Sequence, residues 1–417
     1  MKEAGSTMET LQRRDIQWEQ HFADRMNFIR PSEIREFLKL LGDPEIISFA
    51  GGIPEPDLFP VEQIEAAIAS IMADPVQRST ALQYASSEGY LPLRSWIASY
   101  MAARGAPCSV DNIIVTTGSQ QALDLIAKVL LDPGDTVLTM APTYLGALQA
   151  FNVYQPLYAA IEVDQAEHRA AWDRAKLGYM VPDFANPGGD TLTKPERLRL
   201  LEDASATGTP IIEDAAYEAL RFEGESEPAM LALDIAVRGS IDRSGVIYAG
   251  TFSKTIAPGF RVGWICAAQP VIQKILLARQ AADLHGSTLD QMIVHQVVAS
   301  GFDEQVQRLI PVYRHRRNVM AQALADTMPA GTTWDVPEGG MFIWLTLPNG
   351  SDSRRLIRES LETEKVIFVP GSSFFADGSG EQYIRLNFTR SSEATIVDGI
   401  ARLARVIERH QMNGASD

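Results

Sequence analysis

Between residues 113 and 266, short apolar runs rich in β-branched residues recur, each closed by a polar or glycine-containing break. The runs are Ile113–Thr117, Thr136–Met140, Leu177–Val181, Pro210–Glu213, Val246–Ala249 and Val262–Cys266. The first breaks at Gly118 and leads into Ser119–Ile126, whose apolar positions recur at helical spacing. Strands of this kind alternating with amphipathic helices predict βαβ units and a mainly parallel sheet. After about residue 300 the texture changes. Gln307 to Met328 reads as a long helix with a basic face, followed by strand-like Met341–Leu345, Val366–Pro370 and Tyr383–Phe388 and a closing helix from Glu393 to Arg409. The pattern predicts an α/β chain with a large, mainly parallel domain over 61–300 and a smaller α+β domain over 301–411. Residues 15–60 are expected beside the small domain, with polar tails at 1–14 and 412–417.

Composition narrows the class. The 417 residues are 46% hydrophobic and 22% charged, enough for a large core. With 37 basic against 53 acidic residues the net charge is −16, and such a surface repels phosphate backbones, so no nucleic-acid partner is expected. The N-terminal residues carry charges instead of a signal peptide's apolar core, and no apolar run reaches the ~18 residues of a membrane span. Two cysteines without metal-ligand spacing, Cys108 and Cys266, fit a reducing compartment. A soluble, cytoplasmic protein with no membrane or metal partner is the expectation.

The candidate chemistry gathers where the apolar runs end, the edge at which open α/β sheets bind ligands. Val246–Ala249 leads to Thr251, Ser253 and Lys254, and Arg261 follows in a glycine-punctuated loop. A lysine amine condenses with an aldehyde once it loses its proton, and hydroxyls and a guanidinium beside it suit a phosphate. Ser119 and Gln120 open a helix after Gly118, a second place where phosphate binds readily. Asp214 ends a buried-looking run and can pair with a protonated ring nitrogen. Asn186 and Tyr217 can hydrogen-bond a ring oxygen, Tyr144 can stack on a ring, and Arg385 in an apolar strand can fork onto a carboxylate. Each has an ordinary alternative: a solvated loop lysine, an N-cap serine, a helix-capping aspartate, an internal salt bridge for Arg385.

Taken together, these residues resemble the pyridoxal-phosphate-dependent aminotransferases of fold type I, class I/II, over about residues 25–410. The motifs that carry the likeness are Tyr-Ala-Ser-Ser-Glu-Gly-Tyr (84–90), Thr-Thr-Gly-Ser-Gln-Gln-Ala-Leu-Asp (116–124), Asn-Pro-Gly-Gly (186–189), Glu-Asp-Ala-Ala-Tyr (213–217), Ser-Lys (253–254) with Arg261, and Arg385. The chain is most similar to the 2-aminoadipate and kynurenine aminotransferase branch. That likeness rests on Pro-Ser-Glu-Ile-Arg-Glu (31–36), Ser-Phe-Ala-Gly-Gly-Ile-Pro-Glu-Pro-Asp-Leu-Phe-Pro (48–60) and Ala-Asp-Leu-His (282–285).

The resemblance implies an aspartate-aminotransferase-like fold with a seven-stranded sheet, pyridoxal 5'-phosphate as cofactor, and a homodimer with shared active sites. It implies that Lys254 holds the cofactor as a Schiff base and moves the Cα proton. Asp214 would pair with the ring nitrogen, Asn186 and Tyr217 with the ring oxygen, and Tyr144 would stack on the ring. Ser119, Gln120, Ser253 and Arg261 would bind the phosphate, with Tyr84 reaching it from a partner subunit. Arg385 and Asn186 would receive the substrate. Arg35 would line its entrance, where it either reads a distal carboxylate or pairs with Glu33 or Glu36, and Gly51 and Gly52 would leave room for a long side chain. The reaction implied is ping-pong transfer of an amino group from an L-amino acid (2-aminoadipate, glutamate, aromatic or branched-chain) to a 2-oxo acid such as 2-oxoglutarate. Two positions depart from the family pattern: Gly188 stands where threonine is usual, and Thr251 where serine is common. Rival readings are a C–S β-lyase on the same fold and a non-catalytic effector domain of a transcription regulator.

Overall fold

In the computed structural model, residues 16–29, 43, 45–161 and 169–414 are described. The apolar runs become strands. A short β1 (Ile47–Ser48) comes first; then follow β2 (Ile113–Thr116), β3 (Thr136–Thr139), β4 (Leu157–Ala160), β5 (Ala175–Met180), β6 (Ile211–Asp214), β7 (Val246–Thr251) and β8 (Gly263–Cys266). The strands β2 to β8 form one seven-stranded sheet in the order β2-β8-β7-β6-β5-β3-β4. β8 runs antiparallel to both neighbours, while the remaining pairs are parallel. Every residue of β2, β6, β7 and β8 is buried, which is why these strands read as unbroken apolar runs. β4, at the sheet edge and partly exposed, carries no such signal, and the sequence pattern does not mark it.

Successive residues of one strand face opposite sides of the sheet. Ile114, Ile212, Ile247 and Ile265 fall in one buried cluster, and Ile113, Ile211, Val246 and Cys266 in another. Helices therefore cover both faces. Ser119–Leu130 packs over one side, its buried Ala122, Leu123, Leu125, Ile126 and Ala127 forming a broad apolar stripe.

The C-terminal part adds β9 (Thr333–Trp334), β10 (Phe342–Thr346), β11 (Val366–Ile367), β12 (Val369–Pro370) and β13 (Tyr383–Asn387). Four of these form an antiparallel sheet in the order β12-β13-β10-β9. β11 instead pairs in parallel with β1. The single run predicted over 366–370 is thus shared between two sheets, with Phe368 between them. Residues just after β1 join the same body, since Asn387 donates its N–H to Phe49 O at 2.8 Å. The helical stretch Thr288–Thr327 extends well before residue 307 and is two helices joined at Gly301, whose φ of 161° and ψ of 66° are not helical. The closing helix runs on past residue 409 to Gly414. The N-terminal tail expected over 1–14 lies outside the described residues.

Candidate active site

Strand order brings the predicted chemistry to one edge. Asp214 is the last residue of β6, Lys254 lies three residues beyond β7, and Ser119 starts the helix that follows β2. Tyr144, after β3, is the N-cap of the helix Leu145–Asn152, and Asn186 follows β5. A cleft of about 210 Å³ is lined by Ser119, Gln120, Tyr144, Asp214, Tyr217, Ser253, Lys254 and Arg261, together with Val181, Ala216, Thr251 and Pro258.

One end of the cleft is built to receive an anion. Gly118 precedes the helix with φ +78°, and a Cβ there would lie 2.6 Å from Arg261 Nη2. Only glycine permits both the left-handed backbone and the close guanidinium. The first N–H groups of the helix are free of intrahelical partners and carry its positive end. Arg261, itself at φ 52° and exposed, donates from Nη1 to Pro258 O at 3.2 Å and lines the cleft. Opposite, the Ser253 N–H donates to Thr251 Oγ1 at 3.1 Å, and the two hydroxyl oxygens are 2.9 Å apart. Gln120 is turned by its Nε2 donation to Gly146 O at 2.6 Å.

At the centre, Lys254 Nζ donates to Gly52 O at 2.9 Å. Burial, and then the nearby Arg385 and Arg261 charges, push the amine down to about 8, against an opposing pull from Asp214. Asp214 is 3% exposed. Its Oδ2 accepts from Tyr179 Oη at 2.8 Å, and its Oδ1 has no hydrogen-bond partner among the described residues. Burial raises the carboxyl to about 6, while the Tyr179 hydroxyl, the Ala216 N–H and the Lys254 charge hold it down. A buried, unpartnered carboxylate oxygen lining a cleft is an acceptor that waits for a donor.

Beyond Lys254, Arg385 projects from β13 and is 1% exposed. It donates from Nη1 to Asn186 Oδ1 and from Nη2 to Ala50 O, both at 2.7 Å, and its Nε has no partner among the described residues. Its guanidinium lies over the rings of Phe342 and Phe374, at 4.1 and 5.0 Å from the centroids. Among the described residues no carboxylate pairs with it, so an internal salt bridge is not the reason for its burial. Desolvation lowers it to about 10, still cationic at neutral pH. Asn186 Nδ2 in turn donates to Tyr217 Oη at 3.3 Å. Burial raises the Tyr217 phenol, which therefore stays protonated.

Two expected residues stand elsewhere. Tyr84 is 81% exposed, edge-on to His285 at 5.9 Å, and does not line this cleft. Arg35 lies outside the described residues. Gly52 contributes its carbonyl to Lys254, and a Cβ on it would come within 3.2 Å of Phe342 Cζ, so glycine here keeps the space beside that ring. Sequence reasoning missed Tyr179 and the two phenylalanines. Tyr179 left a trace, as the one hydroxyl within the apolar run Leu177–Val181.

The donor set fits pyridoxal phosphate: an anion seat, a lysine amine with lowered basicity, and an open carboxylate oxygen for a ring N–H. A doubly wound sheet with an activated lysine and an anion seat at its strand ends defines an α/β enzyme that works on carbonyls and amines. The chain belongs to the aminotransferases of class I and II, whose family model matches residues 52–403. It is an aminotransferase, and pyridoxal phosphate is its cofactor. It is 40% identical to aromatic-amino-acid aminotransferase 1 of Thermococcus litoralis, over 96% of this chain and 97% of that protein. It is 39% identical to the 2-aminoadipate transaminase of Thermus thermophilus, over 94% of this chain and 98% of that one. A crystal structure of the alpha-aminoadipate aminotransferase LysN from Thermus thermophilus, in complex with N-(5'-phosphopyridoxyl)-L-leucine, superposes with a TM-score of 0.87 at 38% identity. That match covers 95% of this chain and 100% of the other. The fold is that of the aspartate aminotransferases, and neither the β-lyase nor the regulator reading is favoured.

Proposed function

We propose that this cleft transaminates L-amino acids of the 2-aminoadipate, glutamate, aromatic and branched-chain kinds, with a 2-oxo acid such as 2-oxoglutarate as acceptor. The observation that carries the reading is Arg385: a buried guanidinium with no carboxylate partner among the described residues, beside a lysine whose amine is lowered to about 8. A substrate α-carboxylate supplies the missing charge, and the Phe342 and Phe374 rings on Arg385 exclude water from the pair. Ser119, Gln120, Ser253 and Arg261 hold the cofactor phosphate, Tyr144 the ring face, and Asn186 and Tyr217 the ring oxygen. Asp214 Oδ1 receives the ring N–H. When bound, the cofactor supplies an electron-accepting ring that stabilises negative charge at the substrate Cα. Lys254 Nζ would hold the cofactor aldehyde; once the substrate amine displaces it, the freed amine would take the substrate Cα proton and return it two atoms away, to the cofactor carbon beyond the intervening nitrogen. Its lowered pKa suits it to carry a proton both ways near neutral pH.

Tyr84 serves the site of a partner subunit in a homodimer, which its exposure outside its own cleft supports. Residues 61–300 form the large domain and 301–411 the small one, with the segment 15–60 packed beside it, which the β1–β11 pairing supports. The cytoplasm is the compartment we assign, on two free cysteines. The test is an absorbance titration of the purified protein with 2-aminoadipate, glutamate, leucine and phenylalanine. A visible band that these amino acids bleach and 2-oxoglutarate restores is the expected result, and the order of bleaching rates ranks the donors. A band that no amino acid bleaches would overturn the proposal.

A further inference from the structure

Among the described residues one side chain, that of Tyr179, hydrogen-bonds Asp214, beside the Ala216 N–H of the backbone. Tyr179 stands on β5, where its Cα is paired with that of Thr139 on β3 and that of Ile212 on β6. It is completely buried, with its ring edge-on to Phe151 at 5.5 Å and 82°. Its hydroxyl ends 2.8 Å from Asp214 Oδ2. Asp214 lines the cleft, and its other carboxylate oxygen is buried with no hydrogen-bond partner among the described residues. A tyrosine fixed by a sheet register and an aromatic neighbour allows its donor only one place, and a carboxylate so pinned on one oxygen cannot turn that oxygen to the cleft.

We propose that Tyr179 is a positioning residue for transamination: by donating to Oδ2 it sets the rotamer of Asp214 and leaves Oδ1 as the acceptor aimed at the cofactor ring nitrogen. The inference rests on the reading of Asp214 as the ring-nitrogen partner. The hydroxyl also favours the ionised carboxylate, the form that keeps a proton on the ring nitrogen. Tyr179 remains a donor throughout, because burial and the Asp214 charge raise its own pKa well above 10. The other titratable groups around the pair are Lys254, which favours the anion, and the phenols of Tyr144 and Tyr217.

The experiment is a double-mutant cycle on the full-length protein, with Tyr179→Phe and Asp214→Ala alone and combined. It reads cofactor Kd of the cofactor-free protein, and kcat, KM and the pH profile after reconstitution. Tyr179→Phe is expected to weaken cofactor binding and lower kcat about tenfold each, with KM for the amino acid little changed. The acid limb of its kcat profile is expected to move to higher pH, since the carboxylate loses a hydrogen bond that favoured its charge. On the Asp214→Ala background the same exchange is expected to leave Kd unchanged. An equal loss on both backgrounds, or a Tyr179→Phe enzyme with wild-type Kd and pH profile, overturns the inference. An Asp214→Ala protein with wild-type Kd instead overturns the underlying reading of Asp214. Replacement of Tyr179 by 3-fluorotyrosine, a stronger donor of nearly the same size, covers the case in which Tyr179→Phe does not fold. It is expected to shift the acid limb to lower pH, and an unmoved limb counts against the proposal.

Discussion

At the scale of single residues, the site works by burying charges before their partners arrive. Lys254 is the case with a direct pH signature. Burial first, then the Arg385 and Arg261 charges, push its amine from the ordinary lysine range down to about 8. On the proposed reading of Lys254 the neutral amine is the nucleophile, so the reactive fraction grows as pH rises through 8 and is about one part in a hundred at pH 6. The rate at which cofactor-free protein captures pyridoxal phosphate, followed by stopped-flow absorbance, is therefore expected to climb about tenfold per pH unit up to 8 and then level. A rate still climbing at pH 10 would mean an ordinary lysine. Lys254, Asp214 and Arg385 were legible in the sequence because each is a charged group at or within an apolar strand, an arrangement that needs a reason. Tyr179 was not, because a phenol inside a strand is compatible with plain core packing and only the register of β5 on β6 directs it to Asp214.

At the scale of elements, the antiparallel β8 does more than fill the sheet. Its first residue, Gly263, lies against the loop that opens the helix Ser119–Leu130. A Cβ at Gly263 would come within 2.8 Å of both Gly118 C and Gly250 O and 2.9 Å of Ser119 N. All three are backbone atoms, which cannot turn aside as a side chain can. Gly263→Ala is expected to force β8 and the anion seat apart and to raise the cofactor Kd at least about tenfold, with the circular-dichroism spectrum retained. An unchanged Kd would show that the seat does not depend on this contact. The elements themselves were legible wherever burial on both faces writes an unbroken apolar run, as in β2, β6 and β7. They were illegible at β4, where partial exposure removes the pattern. The Ala-Asp-Leu-His motif was recognisable only as a likeness; its physical role is Asp283, whose carboxylate accepts from Gln121 Nε2 at 2.6 Å and from buried Arg279 Nε at 3.3 Å.

For the whole molecule, the exposed Tyr84 makes the arrangement of subunits a functional question. If each site borrows Tyr84 from its neighbour, a mixed dimer of a Lys254→Ala subunit and a Tyr84→Phe subunit contains one site with both residues intact. Unfolding and refolding the two variants together is expected to recover about a quarter of wild-type activity, the yield of random pairing with one good site per hybrid. Recovery of no more than the sum of the separate variants would place Tyr84 outside the chemistry. The sequence could suggest this only through family likeness, since no pattern within one chain states which copy a side chain serves.

The stretch Ala50–Ile53 leads from β1 into the cleft, and two of its carbonyl oxygens accept from Arg385 and Lys254. Thr389 Oγ1 donates to Ile53 O at 2.9 Å, and Glu55 forms an ion pair with Arg316 at 2.6 Å, so the stretch is tied down at its far end. Carbonyl oxygens belong to every amino acid. Point mutation can crowd this stretch but cannot delete either contact, whereas gaining or losing one residue displaces both at once. Inheritance at this part of the site is therefore first of all inheritance of spacing: among descendants of this gene its length stays fixed, and its letters can drift only where no neighbour crowds a new side chain, as Phe342 crowds one at Gly52.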